Sequence, residues 1–165
     1  MTSEQELVKA LQAIPWFQVM NEDHFKKMCK IAKILKFEPG QSIFHEGDKE
    51  DYLYVVLEGR VAIEISVPGR GRMRILTADP MEDFGWSSVT PVVRQRTAGV
   101  RAVLPSRVAA FDASELRKMC DEDHDFGYLV MRRLANVIAG RLMTTRLQLL
   151  DMFANPADYV EEKHG

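Results

Sequence analysis

Between Phe37 and Phe111 the chain reads as a succession of short β-rich segments parted by turns that carry Gly40, Gly47, Gly59, Gly69 and Gly71. Helical periodicity appears only outside those bounds, so the fold is confined to a β unit flanked by helices. Pro39-Gly40 has the chemistry of a type II turn. The spacing predicts strands over Ser42–Phe44, Tyr52–Glu58, Arg60–Val67, Arg72–Leu76, Gly99–Leu104 and Arg107–Phe111. Tyr52 to Leu57 is almost continuously apolar, as in a strand covered on both faces, whereas Val61, Ile63, Ile65 and Val67 alternate with other residues. No helical stretch separates consecutive strands, which removes parallel βαβ units and leaves a compact antiparallel roll or barrel. The expected class is α+β, an antiparallel β-roll or jelly-roll barrel with N-terminal helices and a long C-terminal helix.

The flanks supply those helices. Ser3 with Glu6 suits a helix start, and Pro15 ends or sharply turns the segment. Asn21 is an N-cap for a second helix, in which Phe25, Met28, Cys29 and Ala32 share a face opposite Lys26, Lys27, Lys30 and Lys33. After the strands, Asp112 caps a third helix with Glu115 in its first turn. From Phe126 to Phe153 there is no proline, and Met131, Ala135, Ile138, Leu142, Thr145, Leu149 and Met152 advance in steps of four and three. Such a stripe suits pairing with a second copy of the chain, and homodimerisation is expected; the alternative is packing on the chain's own barrel. The whole is read as one domain over residues 1–165: helical 3–36, β-roll 37–111, C-terminal helices 113–153 and a polar tail 154–165.

The length of 165 residues fits one sizeable core. Lys and Arg number 22 against 24 Asp and Glu, a formal charge of -2, so no global attraction to nucleic acid or anionic membrane is implied and any anion site must be local. No run of apolar residues approaches a bilayer span, and the first residues are acidic where a secretory signal would be basic, so a cytoplasmic protein is expected. Cys29 and Cys120 are isolated, and His24, His45, His124 and His164 show no ligand spacing. Gly85-Trp86-Ser87 lacks the second glycine of a nucleophile elbow, Val89 standing there, and no enzymatic activity or cofactor is expected. The hairpin Arg70–Arg74 has no interleaved aromatics and reads as a solvated loop.

Chemistry concentrates between Asp83 and Ala102, where Gly85 opens a short polar turn and arginines close it before a strand. From Arg60 to Arg107 there are eight arginines against four acidic residues, a local excess inside an acidic chain. Backbone N–H groups of such a turn can converge on an anion, and a returning arginine can grip phosphate oxygens in a bidentate manner. Ordinary strand-face arginines are the competing reading.

Several motifs in this order resemble the cyclic-nucleotide-binding domain family over roughly Leu11 to Phe153. They are Leu11-x-x-Ile14-Pro15-x-Phe17, Phe37-x-x-Gly40-x-x-Ile43-x-x-Glu46-Gly47-Asp48, Tyr54-x-Val56-x-x-Gly59-x-Val61, and Phe84-Gly85 followed by Arg96-Thr97-Ala98-x-Val100-Arg101-Ala102. Arg96 follows Gly85 by eleven positions, the spacing of catabolite-activator-type members. The resemblance implies a sensor domain that binds a cyclic nucleotide, cAMP or cGMP, or a related phosphorylated ligand. It implies that Phe84, Gly85, Trp86, Ser87, Ser88, Arg96 and Thr97 form the pocket, that Arg96 pairs with the phosphate, and that Thr145 on the long helix reaches the base. It further implies that ligand contact moves that helix. With only a dozen residues after Phe153 the family's helix-turn-helix is not expected, nor is direct DNA binding.

The cassette diverges. Where nucleotide-binding members carry a glutamate for the ribose hydroxyl, this chain has Trp86, whose indole N–H is a donor with no acceptor. Either the ring stacks on a base or covers a different anion, or it fills the ribose space and seals the site, leaving an interaction module without ligand. Met81 stands where a glycine often precedes the cassette, and Pro91 restricts Thr90. Arg96 is expected to need a partner, an anionic ligand or an internal carboxylate such as Glu46 or Asp48.

Overall fold

A computed structural model describes residues 2–49, 51–90, 92–93 and 95–155. In chain order these form α1 (Ser3–Gln12), a short 3-10 turn (Pro15–Phe17), α2 (Glu22–Lys30), β1 (Ala32–Phe37), β2 (Ser42–Phe44), β3 (Tyr52–Glu58), β4 (Val61–Val67) and β5 (Gly71–Ala78). There follow β6 (Asp83–Phe84), a second 3-10 turn (Trp86–Ser88), β7 (Gly99–Ala102), β8 (Ser106–Asp112), α3 (Ala113–Glu122) and α4 (His124–Ala154). The strands make two four-stranded antiparallel sheets, ordered β1-β8-β3-β6 and β2-β7-β4-β5. The expected α+β roll with its long C-terminal helix is therefore the observed architecture.

β3 shows why the continuous apolar run was required. Leu53 and Val55 turn outward into a core shared with Leu11, Ile14, Phe17, Met28, Phe111, Leu116, Phe126, Val130 and Leu134 from the helices and β8. Tyr54 and Val56 turn inward and meet Val61, Ile63, Phe84, Val100, Val108 and Ala110 between the sheets. Each such side chain fully removed from water contributes about 1.5–3 kcal/mol before the entropy of ordering it is subtracted. The return from β3 to β4 depends on Gly59, whose φ is +86° and whose missing Cβ would lie 2.3 Å from the Pro105 carbonyl oxygen.

Beyond shifts of one or two residues at strand and helix ends, three features differ from the sequence expectation. The first helix is capped by Thr2, with Gln5 closing a reciprocal capping box, rather than by Ser3 with Glu6. Asn21 does cap α2 through its Oδ1, which accepts from His24 N at 2.8 Å. That helix stops at Lys30, however, and Ala32–Phe37, expected within the helical segment 3–36, is β1. Its register against β8 runs from Ala32–Phe111 to Phe37–Ser106, so hydrogen bonding along the β8 edge overrides the helical spacing of Ala32. The two-residue β6 was also not foreseen; it pairs Phe84 with Tyr54 and Asp83 with Val55. The expected tail lies outside the described residues apart from Ala154 and Asn155. Among the described residues no helix is long and apolar enough to cross a membrane.

The candidate ligand site between the roll and the long helix

β6 delivers the chain into the roll and Gly85 turns it. Gly85 has φ +75°, and a Cβ there would stand 2.8 Å from Nη1 of Arg96 and 3.0 Å from the Tyr54 ring, so this position requires glycine twice over. The following 3-10 turn buries Ser87 and Ser88 and leaves Trp86 half-buried. Ser88 Oγ donates to the Gly85 carbonyl at 2.8 Å, and the Ser88 carbonyl accepts from Arg117 Nη1 on α3 at 2.5 Å.

Arg96 enters from the opposite side. Its backbone is pinned by Arg96 N to the Asp48 carbonyl at 3.0 Å and by Gly47 N to the Arg96 carbonyl at 2.8 Å. The side chain is 3% exposed. Nη1 donates to the Gly85 carbonyl at 2.9 Å and Nη2 to the Tyr52 carbonyl at 2.7 Å. The guanidinium carbon lies 4.1 Å from the centroid of the Phe44 ring and 5.7 Å from that of Tyr54. Neither expected carboxylate holds it: Glu46 Oε2 accepts from Ser66 N at 2.9 Å, and Asp48 Oδ2 from His45 N at 2.8 Å. Among the described residues, backbone carbonyls and π faces meet the buried charge, each charge-assisted bond contributing about 1.5–3 kcal/mol.

Beside Arg96 lies a cavity of about 170 Å³ lined by Phe44, Ile63, Ile65, Ile75, Leu76, Phe84, Gly85, Trp86, Ser87, Thr97, Ala98, Val100 and Arg141. Of the residues expected at the site, Phe84, Gly85, Trp86, Ser87, Arg96 and Thr97 thus come together. Phe84 stacks on Tyr54 with centroids 4.8 Å apart and planes 5° apart, while Thr97 is exposed at the edge. Ser88 is buried just behind the lining. Thr145 is exposed on α4 and does not line the cavity; the helix contributes Arg141 there. Pro91 lies outside the described residues.

Arg141 escaped the sequence reading, although its signal was present. Phe126, Val130 and Leu134 are the buried face of α4, and steps of three and four residues from Leu134 lead through Val137 to Arg141. Its Nη2 donates to the carbonyl of Asp83, the residue two before Gly85. Burial draws the Arg141 pKa down, against the pull of Asp83 and Glu82. The Asp83 side chain was missed too. It is 1% exposed; Oδ2 accepts from Arg133 Nε at 2.7 Å and pairs with Nη2 at 2.5 Å, and Oδ1 accepts from Trp16 Nε1 at 3.1 Å. One aspartate therefore ties the N-terminal 3-10 turn, β6 and α4 together. Burial raises its carboxyl above the usual range, opposed by Arg133 and Trp16.

A model of the cyclic nucleotide-binding domain matches residues 34–123, more than half of the chain. The chain belongs to the cyclic nucleotide-binding domain family. Across 137 residues it is 27% identical to the CRP-like cAMP-activated global transcriptional regulator of Mycobacterium tuberculosis, covering 82% of this chain and 58% of that one. A solved cyclic nucleotide-binding domain from Methylobacillus flagellatus superposes with a TM-score of 0.73 at 21% identity, covering 90% of this chain and 83% of the other. The catabolite activator protein of Thermus thermophilus gives 0.66 at 24% identity, covering 85% and 63%. At those identities the two structures speak for the fold alone. The chain spans about a third to three-fifths of the length of the curated relatives it matches.

Within this family the divergent positions now have a structural reading. Trp86 both lines the cavity and packs against the core beneath the helices, so its ring forms one wall of the pocket instead of offering an acceptor to a sugar. Met81 keeps the left-handed turn that a glycine would make easily, with φ +71°, and is the one non-glycine with positive φ among the described residues. Its N–H still bonds the Val56 carbonyl at 2.8 Å, so the turn is held by β3 despite the side chain.

Proposed function

We propose that this domain is a non-catalytic regulatory module which reversibly binds a cyclic nucleotide, cAMP or cGMP, or a related phosphorylated ligand in the β-roll cavity, and that occupancy moves α4. The observation that carries this is Arg141: one side chain of α4 lines the cavity and is hydrogen-bonded to the backbone that leads into the Gly85 turn. An anion entering the cavity competes for that guanidinium with a neutral carbonyl, and any shift of Arg141 displaces the helix that carries it. The output end of the device is the far half of α4, which offers an exposed apolar row to a second copy of the chain.

Thermal unfolding with increasing cAMP, cGMP or phenyl phosphate tests the reading. Ligand at a hundred times its Kd adds about 2.7 kcal/mol to stability, a shift of several degrees for a domain of this size. Amide exchange over residues 134–154 is expected to change at saturation. No stabilisation by any of these at millimolar concentration would leave the second reading, a protein-interaction module that kept the fold; its support is the exposed face of α4.

A further inference from the structure

We propose that the ligand is a compact organic anion whose apolar body is no larger than one ring, seated in the cavity with its charged group on Arg141, rather than a complete nucleotide. This rests on the ligand-sensing reading above, with a smaller anion in place of the nucleotide. Three independent observations converge. The first is size: about 170 Å³ is close to the roughly 150 Å³ cavity that admits a single benzene, and well below the roughly 300 Å³ at which pockets for drug-sized ligands begin. The second is wall chemistry. Ile63, Ile65, Ile75, Leu76, Phe84 and the Trp86 ring make its walls largely apolar, with Ser87, Arg96 and Thr97 on one side and no carboxylate among the described residues. A ribose placed there would bury hydroxyls against hydrocarbon, a ring would not.

The third is the state of Arg141. It is half-buried, its one hydrogen bond is to the Asp83 carbonyl, and it takes part in no ion pair among the described residues. Arg141 also lines a neighbouring groove of about 360 Å³ between α4 and the strands, so its guanidinium stands where chamber and groove meet. The carboxylates of that groove are already engaged, Asp83 by Arg133 and Glu82 by Asp79 N at 2.7 Å. An anionic group at the junction thus meets a cation whose hydrogen bond is to a neutral carbonyl and which no carboxylate contacts directly among the described residues, while its ring lies inside the roll. Phosphate and carboxylate satisfy the same geometry, since both accept two parallel N–H bonds from a guanidinium.

The experiment is a binding series on the intact protein by calorimetry and thermal shift, with phenyl phosphate, benzoate, inorganic phosphate, cAMP and cGMP as probes. The expected result is saturable binding of phenyl phosphate or benzoate, at least tenfold tighter than inorganic phosphate and than either cyclic nucleotide. The preferred probe of the two distinguishes a phosphate monoester from a carboxylate. Arg141→Gln is expected to weaken that binding tenfold or more and Arg141→Lys less, with far-ultraviolet dichroism reporting whether each variant is folded. Tighter binding of cAMP or cGMP than of both one-ring anions overturns the inference and leaves the regulatory reading intact. Binding unaffected by Arg141→Gln in a folded protein overturns the placement of the anion. Silence from all five probes overturns both readings.

Discussion

The two halves of α4 are one helix in the backbone and two different objects in their surroundings. From His124 to Arg141 the helix is fastened to the roll: Phe126, Val130 and Leu134 are buried in the core, Arg133 pairs with Asp83, and Arg141 holds the Asp83 carbonyl. From Leu142 onward every described residue is exposed, including Leu142 at 58%, Leu149 at 50% and Phe153 at 76%, and Gln148 Nε2 donates to the Ile75 carbonyl at 2.7 Å. A solitary surface helix is not stabilised by apolar residues facing water. The first half is thus positioned by its own chain, and the second leaves its apolar row exposed. In the proposed function, coupling between pocket and partner would run through this one helix, with Arg141 at the boundary of its two halves.

The strongest way to break the contrast is to unfasten the first half. Asp83→Ala leaves the Arg133 cation without its partner and opens a gap beside Trp16; about 3 kcal/mol of stability should be lost, the low end of the range for broken buried pairs because Arg133 remains 30% exposed. Urea unfolding measures it, and a loss below about 1 kcal/mol would mean that packing alone seats the helix. The pH dependence sharpens the point. Burial holds the folded Asp83 carboxyl above its ordinary 3.8, so the folded state retains a proton that the unfolded chain releases. The associated stability is complete below 3.8 and disappears as pH rises through the folded value. Asp83→Asn should remove that slope from stability measured between acid and neutral pH.

Next in size is a change that touches only the second half. Leu142→Glu with Leu149→Glu places charge in the exposed row that continues Met131, Ala135 and Ile138, and should shift a dimer to monomer in sedimentation velocity at micromolar concentration. Unfolding of the monomer itself should move by less than about 0.5 kcal/mol, since neither residue packs on the roll. An equal loss in both measurements would show that the distal half docks on its own barrel after all.

How much of this was legible in sequence depended on whether the determining contacts were local. The strands β2 to β5 and the caps Asn21 and Asp112 were readable, because alternation, turn glycines and cap chemistry act within a few residues, whereas the grouping of Phe84, Gly85, Trp86, Ser87, Arg96 and Thr97 was implied by the family resemblance. β1 was not, since Ala32 satisfies a helical spacing and only the distant β8 edge draws it into a sheet. β6 is two residues long and exists through its pairing with β3. The two carbonyls that accept from Arg96 were not legible for a related reason: carbonyls carry no letter in a sequence, whereas Glu46 and Asp48 do, and those two carboxylates are engaged elsewhere. Asp83 and Arg141 were missed because their meaning arises from each other, 58 positions apart.

A smaller effect separates the wall of the pocket from its ligand chemistry. Trp86→Glu replaces one apolar wall with the acceptor that the family's nucleotide binders use, and trades ring burial for a charge. If the remainder of the cradle is intact, affinity for cAMP should rise about ten- to a hundredfold, as expected for one added charge-assisted hydrogen bond, while affinity for a one-ring anion falls through repulsion. Titration calorimetry on the single variant reads both. No gain for cAMP would place the obstacle at Arg96, whose Nη1 and Nη2 are held by Gly85 and Tyr52.

The smallest expected change concerns the turn that feeds the Asp83 clasp. Met81 has φ +71°, where a side chain costs about 1–2 kcal/mol relative to glycine, yet its side chain also packs at the edge of the helical core. Met81→Gly relieves the first and forfeits the second, so a net gain of at most about 1 kcal/mol is expected in urea unfolding, and a net loss would show that the thioether contact outweighs the backbone conformation. Arg133 Nη2 reaches the Met81 carbonyl at 3.5 Å, which makes the turn part of the seat of α4. Relaxing it should therefore alter amide exchange in the first half of that helix and leave the second half, already exposed along its length, unchanged.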